Sequence, residues 1–123
     1  MPVFNYVDST DYTIHGSTFA AYVNTARGGA QLCAWRLTVP PGTTGVAHRP
    51  SREEVLLVID GTLHITIDGE SNQLGPGSGA HVPAGALLRI DSGADGGSAW
   101  VTTTPGLTAT TQDGSVITPP WAQ

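Results

Sequence analysis

The feature that most constrains the fold is a series of short apolar runs, rich in β-branched residues and separated by turn-forming residues. None of the runs has the length and 3.6-residue periodicity of an amphipathic helix. The separators hold Gly, Pro and Asp, as in Asp60-Gly61 and Asp68-Gly69, which favour turns. At least six strands in one small domain predict a β-sandwich or a closed β-barrel. The runs are 32–39, 55–59, 63–67, 80–82, 87–90 and 100–104.

The length of 123 residues predicts one domain, 1–123, with a C-terminal tail over about 106–123. Trp121 in that tail is expected to dock on the barrel or across a dimer. Charged residues make up only 12% of the chain, so some apolar surface is expected to meet a partner subunit. The net charge of −5, with five Lys+Arg residues, gives no basic surface for nucleic acid.

The sequence predicts no membrane partner, because no stretch approaches the roughly 20 apolar residues that a spanning helix needs. The N-terminus lacks a basic segment followed by an apolar one, so a cytoplasmic protein is expected. Cys33 is the only cysteine and lies in an apolar run, which predicts a buried structural thiol rather than a nucleophile.

Residue alternation predicts which side chains face the core. Leu63 and Ile65 alternate with His64, which places His64 on the opposite face, and His81 likewise points away from the core. The run 55–59 is apolar at every position, so both of its faces are expected to be buried, one inside the barrel and one against another layer or subunit. His15, in a turn before Gly16, is interpreted as a surface histidine.

The segment 42–61 carries polar and glycine residues at a distinctive spacing. Gly42 is followed after five residues by His48, and then by Pro50, Glu54 and Gly61. This pattern resembles the first motif of the cupin superfamily, in which two histidines and a glutamate lie between two glycines. Pro50 occupies the position of the second histidine.

The segment 77–90 resembles the second cupin motif. Gly77, Pro83 and Gly85 match it, and Leu88 occupies the position of its histidine. The resemblance covers about 32–100, and Trp35-Arg36, the stretch 51–55 and the closing stretch 119–123 together are similar to a group of small actinobacterial cupins. It implies an all-β jelly-roll barrel of two antiparallel sheets with an interior site, and a homodimer.

Cupins with intact motifs hold iron, manganese or zinc with three imidazoles and a carboxylate. Here only His48 and Glu54 remain as metal ligands, and a tight site usually needs three or more protein ligands. The resemblance therefore implies either no cofactor or a weakly held divalent Fe, Zn or Mn ion. His64 or His81 would join the site only if a β-bulge reversed the strand alternation.

His48 and Glu54 are the predicted catalytic residues. A carboxyl group desolvated in such a cavity has a raised pKa and can act as a general acid or base. The alternative is that the two residues remain only as a hydrogen-bonded ion pair. Glu53 is expected on the surface. The predicted substrate contacts are Trp35 (which could instead simply fill the core), Leu37, Pro50, Leu56 and Leu88.

Three functions follow. The first is an isomerase, cyclase or lyase that acts on a small, mostly apolar molecule by His/Glu acid–base chemistry, with the resemblance adding an association with polyketide and other secondary metabolism. The second is a metal-dependent, dioxygenase-like cupin. The third is a non-catalytic module that binds a small apolar ligand.

Overall fold

Antiparallel strands make up most of the computed structural model, which describes residues 3–123. In this part of the chain the helical segments are 3₁₀ helices of three residues each, Tyr6–Asp8, Thr25–Arg27 and Pro120–Ala122. Over residues 3–123 no helix has the length and apolar character that crossing a membrane requires. The strands are β1 (Thr10–Ile14), β2 (Ser17–Val23), β3 (Cys33–Val39), β4 (His48–Pro50), β5 (Glu54–Ile67), β6 (Glu70–Leu74), β7 (Gly79–Val82), β8 (Leu88–Thr103), β9 (Ala109–Thr111) and β10 (Val116–Ile117).

The strands form one curled sheet, and every pairing in it is antiparallel. The order along the main path is β1-β2-β3-β8-β4-β9-β10. Strand β5 also pairs with β8, and β6 and β7 each pair with β5. Because β5 and β8 are long enough to pass from one wall to the other, the two predicted sheets are hydrogen-bonded into a continuous half-barrel. The all-β jelly-roll prediction is confirmed.

The continuity of β5 corrects one predicted turn. Asp60-Gly61 does not end the strand but lies inside it, where the pairing with β8 shifts register. Gly61 has a φ of +65°, and an added Cβ there would overlap the backbone of Gly96, so only glycine fits this bulge. Asp68-Gly69, by contrast, is a turn as the sequence predicts, and it connects β5 to β6 as a tight hairpin.

The inward faces of the strands pack into one hydrophobic core. Leu63, Ile65 and the predicted structural thiol Cys33 are all buried in it, which confirms the predicted alternation in β5. The run 55–59 departs from its prediction, because only one of its two faces is buried within a single chain. Leu56 and Val58 are buried, whereas the other three residues are about half exposed: Val55 51%, Leu57 46% and Ile59 45%.

The N-terminal hairpin of β1 and β2 was not predicted from the sequence. It extends the sheet beside β3, and its two strands pair from Thr10 with Ala21 to Ile14 with Ser17. The two turn residues, His15 and Gly16, have φ values of +51° and +81°. Positive φ at both positions of a two-residue loop is the type I′ geometry, which matches the twist of the flanking strands.

The C-terminal tail is fixed to the barrel of its own chain. The Trp121 ring stacks on Phe19 with the ring centroids 4.0 Å apart, and its side chain is buried. The Gln123 backbone carbonyl accepts a hydrogen bond from the Thr25 N–H at 2.9 Å. Trp121 therefore docks on the barrel, one of the two placements expected.

Candidate functional site

The barrel encloses a cavity of about 160 Å³ whose walls are mostly apolar. Its apolar lining includes Phe19, Trp35, Leu37, Leu88 and Trp121. A cavity of this size that stays open to solvent on one side can take a small organic molecule or part of a larger one.

The structure brings five of the seven predicted site residues together around this cavity: His48, Glu54, Trp35, Leu37 and Leu88. Trp35 is almost fully buried and also borders the cavity, so it both fills the core and lines the pocket.

Pro50 and Leu56 do not border the cavity, which corrects their prediction as substrate contacts. Both side chains are completely buried in the protein interior. Val101 on β8, which pairs with Leu56, borders the cavity instead.

Glu54 is the first residue of β5 and presents a carboxyl group to the cavity. The residue is only 7% exposed, and no hydrogen bond from residues 3–123 reaches its side chain. Burial raises the pKa of Glu54 from 4.5 to about 7, because desolvation penalises the charged form. At neutral pH this group therefore exists in both protonation states, which suits a general acid or base.

His48 begins β4 and is half-buried at the edge of the same cavity. Its Nδ1 lies 2.8 Å from the backbone carbonyl of Val46. Since a carbonyl can only accept a hydrogen bond, Nδ1 carries the proton, and in the neutral ring Nε2 is left as the acceptor.

His48 and Glu54 are not joined to each other. Across the described residues, the ion pairs are His81 with Glu53 and Arg89 with Asp91, and no hydrogen bond connects His48 to Glu54. The alternative in which the two residues persist only as an internal ion pair is therefore contradicted. Both groups remain free to interact with a bound molecule.

The donor set of this site does not fit a tightly held metal. Pro50 and Leu88 offer no ligand atoms, and within residues 3–123 no three His, Cys, Asp or Glu side chains come close enough together to hold an ion. His81 lies on the outer surface with its Nε2 2.9 Å from Glu53, and His64 does not border the cavity. Neither histidine replaces the missing ligands, in agreement with the predicted strand alternation.

His15 is a cavity residue that the sequence analysis assigned to the surface. It is exposed, as predicted, but it also borders the cavity because the β1–β2 hairpin forms part of its rim. Ser17 on the same hairpin is buried and borders the cavity as well. The only sequence signal for this placement is the dipeptide His15-Gly16, which lacks the Asn-Gly or Asp-Gly sequence typical of such a turn.

Comparison with known families identifies the middle of the chain. Residues 35–102, more than half of the chain, match the family described as "Cupin domain". Among proteins with curated descriptions, none matches this sequence.

Solved structures with the same fold include enzymes of different activities. The polyketide cyclase RemF from Streptomyces resistomycificus superposes with a TM-score of 0.76 at 17% identity, covering 85% of this chain and 79% of that one. An RmlC-like cupin from Shewanella frigidimarina gives 0.72 at 21% identity, covering 84% and 90%. A variant of oxalate decarboxylase from Bacillus subtilis gives 0.72 at 20% identity, covering 84% of this chain and 29% of that one. Identities this low show the shared fold alone.

Proposed function

Since the chain belongs to the cupin family, we propose that it is an enzyme that transforms a small, mostly apolar organic molecule inside the barrel by acid–base chemistry at Glu54 and His48. One observation carries this proposal. The Glu54 carboxyl is buried, has no hydrogen-bond partner in the described chain and borders an apolar cavity. A buried polar group without a partner is costly, and a functional role accounts for its retention.

The chemistry that these groups support is proton transfer at carbon. The Glu54 carboxylate removes a proton from a carbon beside a carbonyl, and the C–H electron pair becomes that of an enolate. The resulting carboxylic acid then returns the proton to another carbon, which is an isomerisation. Alternatively the enolate carbon attacks a second carbonyl of the same molecule, whose oxygen takes the proton, which is a cyclisation. The reverse of that carbon–carbon bond formation is a lyase reaction.

His48 is placed to assist at the oxygen atoms of the substrate. Its Nδ1–H is held by Val46, so Nε2 is the nitrogen available to a ligand. In the neutral ring Nε2 accepts a hydrogen bond from a substrate hydroxyl, and in the protonated ring it donates one to a developing oxyanion. The apolar walls exclude water and strengthen both interactions.

The structural neighbour RemF is a polyketide cyclase, which supports a polyketide-like substrate for this cavity. Chains with alternating carbonyl groups contain acidic C–H bonds, flat apolar segments and oxygen atoms for hydrogen bonding. Those features suit the apolar walls and the Glu54 carboxyl of this cavity. A dioxygenase-like activity is less well supported, because His48 and Glu54 alone are a poor ligand set for iron.

The proposal is tested with benzoylacetone, an aromatic β-diketone with an acidic C–H bond. Exchange of that hydrogen for deuterium in D₂O is followed by proton NMR. We expect the protein to accelerate exchange, Glu54→Gln to return the rate to the buffer background, and the adjacent surface variant Glu53→Gln to retain wild-type activity. Acceleration that persists in Glu54→Gln, or none in the wild type, would contradict the enzymatic role. Binding without exchange would identify a non-catalytic module.

We also propose that the chain forms a homodimer through the outer face of β5. Val55, Leu57 and Ile59 form an exposed apolar row on this face. A second copy related by a two-fold axis would place the same row against itself, so that apolar surface meets apolar surface without burying an unpaired charge. The exposed polar side chains of Glu53 and His81 would then lie at the rim of the contact.

A further inference from the structure

Two polar side chains of the β1–β2 hairpin border the cavity, together with the apolar Ile14 and Phe19 of the same hairpin. The two are His15 and Ser17, and Thr43 and Thr44 border the same cavity. Ser17 is only 9% exposed, and its hydroxyl makes no hydrogen bond with any residue in the range 3–123. The Ser17 oxygen is not enclosed, because the fully buried side-chain oxygen and nitrogen atoms that lack a partner in residues 3–123 are Asn24 Oδ1 and Arg36 Nε. Since Ser17 borders the cavity, its hydroxyl is free to form a hydrogen bond with a bound molecule.

The hairpin and Glu54 lie at opposite ends of the cavity. Strand register places Glu54 level with Cys33 at the start of β3, and Ser17 level with Val39 at its end. Six residues of extended strand separate the two levels, which is about 20 Å along the strands. A single molecule that contacts both ends must therefore be elongated.

Residue 15 has a backbone conformation that few residues other than glycine adopt, and histidine is among those enriched there. A type I′ turn favours Asn or Asp before Gly, because these residues tolerate positive φ best. His15 has a φ of +51° and occupies the position where Asn would be the better turn residue.

We propose that His15 and Ser17 form a second polar subsite, which binds an anionic or strongly hydrogen-bonding oxygen group at one end of an elongated ligand whose other end reaches Glu54. The inference deepens the proposed function, because it specifies a substrate that is polar at both ends and apolar between them. The imidazole supplies a charge-assisted hydrogen bond, and the Ser17 hydroxyl supplies a second donor. The aromatic and aliphatic walls bind the middle of the molecule.

The experiment measures the affinity of phenylbutyrate, phenylhexanoate and phenyloctanoate, each beside its own primary amide, by isothermal titration calorimetry. Mildly acidic buffer keeps Glu54 protonated, so that its carboxyl does not repel the acids. We expect the longer acids to bind about fivefold more tightly than their amides, because only they carry a charged oxygen group to the imidazole. His15→Asn and Ser17→Ala should each reduce that preference while the affinity for the amides stays unchanged.

Two features of the variants keep the result interpretable. Asn-Gly is the favoured sequence for this turn, so His15→Asn should fold at least as well as the wild type. His81→Asn, which removes an imidazole from the outer surface, is the matched control and should leave the preference intact.

The outcomes separate the subsite from the proposed function. Equal affinity for acids and amides in the wild type, or a preference that survives His15→Asn, would overturn the subsite and leave the cavity function standing. Loss of the preference in His81→Asn would also overturn it, because the effect would then not be specific to the hairpin. Failure of both acids and amides to bind would overturn the subsite together with the proposed apolar binding cavity.

Discussion

His48 and Leu88 are direct partners in the pairing of β4 with β8, so an imidazole and an aliphatic side chain lie next to each other at the cavity wall. In cupins with intact motifs the second position would be a histidine. Partners across antiparallel strands have Cα atoms only about 5 Å apart, which is close enough for two imidazoles to share one ion. The backbone therefore has the spacing that a metal ligand at position 88 needs, and only the side chain of Leu88 prevents it from binding an ion.

Leu88→His should create a divalent metal site. Together with His48 and Glu54 it supplies three ligands, the usual minimum for tight zinc binding. We expect zinc affinity at least tenfold higher than that of the wild type, measured by calorimetry. Leu88→Gln, of similar size but without an imidazole, is the control. Equal zinc affinity in Leu88→His and Leu88→Gln would show that the three groups do not converge.

The stability of the protein should fall as the pH rises through the range in which Glu54 ionises. Its folded-state pKa of about 7 lies above the ordinary value of 4.5, so the folded protein holds the proton more tightly than the unfolded chain. The contribution is fully favourable below pH 4.5 and is lost by about pH 7, a decrease of about 3 kcal/mol in the free energy of unfolding. Chemical denaturation across this range measures it.

The matched pair for that measurement is Glu54→Gln and Glu53→Gln. Glu54→Gln should lack most of the decrease, because an amide does not ionise. Glu53 is exposed and hydrogen-bonded to His81 on the outer surface, so it is not desolvated as Glu54 is. Glu53→Gln should therefore retain the decrease in stability. An unchanged pH dependence in Glu54→Gln would mean that another group is responsible.

Trp121→Ala should enlarge the cavity and destabilise the fold. Removing this ring takes away the stack on Phe19 and one cavity wall, at a cost of about 3 kcal/mol in the free energy of unfolding. The ratio of the affinity for a naphthyl amide to the affinity for the matching phenyl amide should be higher in this variant than in the wild type. Trp100→Ala, on the outer face beside Phe4, should leave this ratio unchanged. The same ratio in both variants would place Trp121 outside the ligand site.

Leu57→Lys should dissociate the proposed dimer. Leu57 is the middle residue of the exposed apolar row on β5, and a lysine there would place two like charges at the two-fold axis. We expect the dissociation constant from analytical ultracentrifugation to rise more than about tenfold. Val116→Lys, at an exposed position on β10, is the control. A wild-type chain that is monomeric at high concentration would contradict the proposed interface.

The sequence predicted the parts of the fold that depend on strong local patterns. The alternation around Leu63 and Ile65 identified the core face of β5, and Asp68-Gly69 identified a turn. It failed at Asp60-Gly61, because the same residue types serve in a turn and in a bulge, and only the approach of β8 distinguishes the two.

The candidate site was predicted in part for the same reason. His48 and Glu54 belong to a spaced motif, whereas the hairpin of β1 and β2 has few aliphatic residues and an atypical turn sequence. His15 and Ser17 reach the cavity through long-range pairing of that hairpin with β3, which no local pattern reveals. Pro50 and Leu56 were misplaced because strand alternation gives the direction of a side chain and not the depth at which the cavity lies.

The ionisation of Glu54 can be followed directly by carbon-13 NMR of its side-chain carboxyl in glutamate-labelled protein. The resonance that is absent from Glu54→Gln identifies the group. We expect its chemical shift to titrate with a midpoint near pH 7, because the carboxyl is desolvated and lacks a hydrogen-bond partner among the described residues. A midpoint near the ordinary value of 4.5 would contradict the buried acid on which the proposed chemistry depends.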